Sequence, residues 1–184
     1  MRDAEINTYA EMWLASGAFM DNATSTEAGS YFQIMGGLVF TAFTLEAYLN
    51  HVGQHLFRCW EKLERLQPHE KLSLICEKLE IDKNDKKPPF QRVRELMKFR
   101  NEIAHGKTVQ LKEESIYVTD PRSRIDDRLQ TQWQRYCKLD ILKNVREDIE
   151  KIILEIHKES GMRSIIFNLG LWERVSSVLD EGAA

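Results

Sequence analysis

Phe99-Arg100-Asn101-Glu102-Ile103-Ala104-His105-Gly106 puts a permanent cation, an amide and an imidazole within six residues. Phosphate chemistry uses those three groups. Arginine offers a planar fork of donors to phosphate oxygens and keeps its charge. Histidine exchanges a proton near neutral pH. Asparagine orients a hydroxyl or phosphate oxygen without adding charge. The surroundings are basic: residues 83–107 hold eight Lys or Arg against three acids, a local +5 inside a chain of net charge −3. Such an island suits local anion binding, with Lys98 and Lys107 nearest the segment. A solvated charged helix face accounts for the charge excess equally well.

These groups need helices to position them. Residues 88–104, opened by Pro88-Pro89 and stopped by Gly106, show Phe90, Val93, Leu96 and Met97 at inward spacing. Residues five apart on a helix are offset by roughly 140°. Arg100 and His105 therefore point in different directions unless the helix end distorts or a second copy supplies one of them. The strongest helix covers residues 31–60, with Ile34, Leu38, Leu45, Leu49, Val52 and Leu56 on one face. Gly36 and Gly37 cost it about 1 kcal/mol each against alanine, tolerable if a neighbour packs closely there or if the helix starts after them. Glu46 lies in this apolar stretch and needs a partner, Arg100 or another base, unless it lies on an exposed flank. Residues 138–159 carry Leu142, Val145, Ile149, Ile152 and Ile156 at the spacing of a bundle seam. Helices are also predicted over residues 4–20, 68–80 and 163–179, with a polar connection over 21–30. Residues 108–119 read as a small β-hairpin and 121–127 as polar loop. The predicted architecture is all-α, one domain over residues 1–184 with its core near 31–160.

At Arg100-Asn101-Glu102-Ile103-Ala104-His105 the sequence resembles the HEPN superfamily, whose signature is an arginine, commonly a polar residue next, and a histidine a few residues on. Thr44-Leu45-Glu46-Ala47-Tyr48-Leu49-Asn50 looks like the family's other recurrent segment. The resemblance spans roughly residues 31–160 and implies an up-down helical bundle, commonly a homodimer. It implies a metal-independent endoribonuclease in many members, often a toxin–antitoxin or phage-defence effector. In such an enzyme His105 is the acid or base, Arg100 stabilises charge on phosphate, Asn101 orients the substrate and Glu46 supports Arg100. Lys98 and Lys107 draw in the RNA backbone. The alternative is a non-catalytic member that binds nucleotide, RNA or a partner protein. In some members a tyrosine two residues after the histidine is modified by the antitoxin; Lys107 stands there, against that mode of control.

The remaining features bound the answer. Three cysteines without a Cys-x-x-Cys pair suit a reduced compartment. The opening residues lack an apolar signal region, and the apolar run over 38–45 is cut by Glu46, short of the roughly 20 residues a membrane span needs. A cytoplasmic protein without membrane attachment is expected. His51, His55 and Cys59 share a helix face, yet no second ligand pair accompanies them, so neither metal nor other cofactor is expected. His69 and His157 sit among charges and read as surface residues. RNA, a second copy of the chain and an antitoxin protein are the expected partners. The apolar part of a dimer contact is expected from Phe90, Met97 or residues 163–179.

Overall fold

A computed structural model describes residues 7–26, 28–111 and 129–162. Among these residues seven helices follow in order: α1 (Thr8–Ser25), α2 (Ser30–Leu56), α3 (Trp60–Leu63), α4 (Pro68–Lys78), α5 (Phe90–His105), α6 (Gln132–Tyr136) and α7 (Leu139–Ser160). Among the described residues there is no strand. The protein is mostly helical, in line with the all-α expectation. Residues 108–111 of the expected hairpin have no regular structure. Residues 112–119, the loop at 121–127 and the helix expected at 163–179 lie outside the described residues.

The α2 helix is the centre of the bundle and packs against α1, α4, α5 and α7. Its inward face, Leu38, Leu45, Leu49 and Val52, is fully buried. Each such side chain contributes about 1.5–3 kcal/mol on leaving water. By length and composition α2 could cross a membrane, yet half of its most apolar window is buried against the rest of the protein. The helix α1 runs antiparallel to it, since Tyr9 meets Tyr48 and Phe19 stacks on Phe40. The helix α7 runs parallel to it: Leu142 lies against Gly37, and the Tyr48 hydroxyl donates to the Ile153 carbonyl at 3.2 Å. The seam of α7 is as expected, with Leu142, Val145, Ile149, Ile152 and Ile156 at most 1% exposed.

The structure shows why two glycines sit inside α2. The Phe19 ring covers Gly36, and Leu142 covers Gly37, while Ser16 Oγ donates to the Gly37 carbonyl at 2.9 Å. The helix runs through both. A tighter approach occurs at Gly53, where an added Cβ would lie 2.4 Å from three indole carbons of Trp60. Trp60 is 3% exposed and has nowhere to swing. Gly53→Ala is therefore expected to lose about 1–3 kcal/mol to overpacking, against about 1 kcal/mol gained in helix propensity. Urea denaturation checks this: a midpoint at or above wild type would show that the indole yields.

Several boundaries differ from the sequence reading. The first helix continues to Ser25, because Ala23 still packs into the core. His157 is buried, not a surface residue: it lies one turn after Ile153 on the α7 face that meets the core. The short helices α3 and α6 were not expected. Thr131 and Gln134 bracket the start of α6 as a capping box, a pattern readable in Thr131-Gln132-Trp133-Gln134.

Candidate functional site

The α5 helix positions the site. Phe90, Val93, Leu96, Met97 and Phe99 bury its inner face. Arg92 on its flank pairs with the buried Asp148 of α7 at 2.5 Å. Its end is set by Gly106, in a positive-φ conformation (φ 28) that favours glycine, with its amide donating to the Glu102 carbonyl at 3.2 Å. His105 is thus the last helical residue and is exposed.

Two faces of α5 carry the chemistry-bearing groups. One turns to α2. There Arg100 forms an ion pair with Glu46, donates to Asn101 Oδ1 at 3.0 Å, and sits 5.8 Å from the Phe43 ring centroid. The structure thus places Glu46 beside Arg100, as its place in an apolar stretch demands. One turn along α2, Asn50 Oδ1 accepts from Lys71 Nζ of α4 at 2.7 Å. Lys71 is 2% exposed, and this burial holds its amine below the usual lysine range.

The other face of α5 lines a cleft of about 660 Å³. Arg94, Lys98, Asn101 and His105 face it from α5, and Lys107 from the residue run beyond. His69 of α4 and Trp133 of α6 also line it. Arg100 is not among its lining residues. The helical offset expected between Arg100 and His105 is therefore realised: within one chain the two point into different environments. Asn101 is the link, accepting from Arg100 while lining the cleft.

The basic island is partly neutralised. Lys83 pairs with Asp85 at 2.5 Å, Arg92 with Asp148, and Arg100 with Glu46. Lys98 donates to Gln132 Oε1 at 2.7 Å and lies 3.9 Å from Glu102. Among the described residues the cleft presents Arg94, Lys98 and Lys107 against the single acid Glu102, a net positive lining. No family model, curated protein or solved structure matches this chain.

Of the residues singled out from sequence, Arg100, Asn101 and Glu46 come together on one side, and Asn101, His105, Lys98 and Lys107 on the other. His69 is exposed as expected but belongs to the cleft, which sequence spacing could not show. Arg94 was legible only as part of the charge run. His51 packs between the Tyr9 and Tyr48 rings, with centroids at 5.0 and 6.5 Å. Among the described residues no group of three or more His, Cys, Asp or Glu is placed to hold a metal.

The Glu46–Arg100 pair is open to a direct measurement. Its side chains are 29% and 21% exposed, between the surface and buried cases. A double-mutant cycle of Glu46→Ala and Arg100→Ala is expected to give a coupling of about 1–2 kcal/mol, above exposed pairs and below buried ones. Additive losses in denaturant titrations would show that the pair contributes nothing to holding α5 on α2.

Proposed function

We propose that the protein is a metal-independent endoribonuclease of HEPN type, a toxin or phage-defence effector acting in the cytoplasm as a homodimer. The observation that carries this reading is the exposed His105 at the end of α5, lining a basic cleft beside Asn101. The resemblance at Arg100-Asn101-Glu102-Ile103-Ala104-His105 supplies the reaction class. His105 takes the proton of an RNA 2′-hydroxyl as that oxygen attacks the adjacent phosphorus. The bond to the 5′-oxygen breaks, that oxygen takes a proton from solvent water while His105 releases its own to solvent, and a 2′,3′-cyclic phosphate remains. Arg100 of the second copy stabilises the charge that develops on the non-bridging oxygens. Asn101 orients the phosphate, and Lys98 and Lys107 attract the backbone. Glu46 holds the guanidinium in place.

A second reading has one observation in its favour. Arg100, assigned to phosphate, is engaged by Glu46 and stacked near Phe43 within the chain. A non-catalytic member using the cleft to bind nucleotide, RNA or a protein needs nothing more from Arg100. Incubation of purified protein with mixed RNA in EDTA separates the readings. Fragments ending in 2′,3′-cyclic phosphate are expected from the enzyme. Intact RNA that is retained by the protein would assign it to the binding class.

A further inference from the structure

The cleft has a wall that the cleavage chemistry does not use. Trp133 faces it from α6, and Met97 forms part of its floor. Trp13 and Trp60 are 3% exposed, whereas Trp133 is only half-buried. Its backbone is held firmly for a helix of five residues. Thr131 N and Oγ1 donate to Gln134 Oε1 at 2.8 and 3.0 Å, and Lys98 of α5 donates to Gln132. Tyr136 rests on Phe99 with ring centroids 5.3 Å apart. An indole on a helix fixed in this way, partly packed on the core and partly lining the cleft, meets a ligand at little ordering cost.

Cations line the same cleft. Arg94 and His105 are eleven residues apart on α5, about 16 Å at 1.5 Å per residue. Lys107 continues the row beyond His105. The volume of about 660 Å³ falls within the roughly 300–1,000 Å³ of small-ligand sites. An aromatic face beside a row of cations suits a polyanion whose units carry flat rings.

We infer that the cleft holds an unpaired nucleobase against Trp133, with the strand's phosphates along Arg94 and Lys107, so that the substrate is single-stranded. This rests on the reading of the protein as an RNA-acting one and deepens it. A paired base in a duplex has both faces stacked and offers none to an indole. Trp133 is a binding residue here and takes no part in proton transfer.

The test uses the full chain and a fluorescent single-stranded oligoribonucleotide with 2′-O-methyl groups, which lacks the attacking hydroxyl. Trp133→Ala is expected to weaken binding about 5- to 150-fold, the equivalent of 1–3 kcal/mol for one stacked base. Trp133→Leu, which keeps apolar packing without an aromatic face, should do the same. Trp133→Phe should retain most affinity. Circular dichroism identifies any variant that fails to fold. The same sequence as a blunt duplex should bind at least about tenfold more weakly than the single strand. Arg94→Gln should lower the salt dependence by about one counterion. Equal binding by the Leu and Phe variants, or a duplex bound as tightly as the single strand, overturns the inference. The oligonucleotide cannot be cleaved, so the outcome is independent of catalysis. Trp133-dependent binding by a protein that cleaves nothing removes the ribonuclease and keeps the subsite. Cleavage with Trp133-independent binding does the reverse.

Discussion

Replacing His105 by alanine is expected to lower RNA cleavage about 10²- to 10⁴-fold, the usual contribution of a positioned acid or base. The fold should hardly change. His105 is exposed at the last position of α5, and Gly106, not the imidazole, closes the helix. Exposed positions away from caps and cores usually shift stability by no more than about 0.5 kcal/mol. Circular dichroism and denaturation midpoint should therefore match wild type while product formation falls. Asn101→Ala should lose less, because an amide orients but carries no proton. The residual wild-type reaction should persist in EDTA. Wild-type cleavage by His105→Ala would remove His105 from the chemistry, and cleavage restored only by a divalent ion would remove the proposed mechanism.

Mixing Arg100→Ala chains with His105→Ala chains is expected to recover about a quarter of wild-type activity, although each variant alone is nearly inactive. The value follows from two-fold symmetry. Half of randomly exchanged dimers are mixed, and each mixed dimer rebuilds one of its two composite sites. The structure sharpens the reason to expect such sites. In one chain Arg100 faces α2 while His105 faces the cleft, so one phosphate cannot meet both without rearrangement. A partner chain can supply the missing group. The apolar part of the contact cannot come from Phe90 and Met97, as expected from sequence, because they are 6% and 5% exposed and packed in the core. Phe43 and Phe32, at 40% and 66% exposure, are the aromatic rings left open on α2, and Phe43 adjoins Arg100. Sedimentation should show a dimer at micromolar concentration. A monomer would reject the composite site, as would proven subunit exchange without recovery.

The helices were legible because their periodicity is strong. The α7 seam and the inner faces of α2 and α5 appear in the sequence at helical spacing, and every named seam residue of α7 is buried. The Glu46–Arg100 pairing was half legible: the apolar stretch around Glu46 called for a base unless it lay on an exposed flank, and several bases were available. The cleft was not legible. Its lining includes His69 and Trp133, which are distant in sequence from α5 and meet it only through packing. The charge island misled in magnitude, since composition counts Arg92 and Arg100 as free cations while the fold pairs them with Asp148 and Glu46. The surface assignment of His157 failed because its charged neighbours hid its place on the seam.

Glu46 and Asn50, one turn apart on α2, each hold a cation from a different helix, Arg100 of α5 and Lys71 of α4. Those two helices both line the cleft, through His105 and His69. Neither Glu46 nor Asn50 lines it. The seating of α4 and α5 on α2 is therefore held from behind the cleft, like jaws fixed at a hinge. In a genetic screen for loss of activity, hits would not cluster on the cleft surface alone. The polar edge of α2 is a second target, where a conservative change that leaves every ligand-facing group intact still alters what the cleft admits.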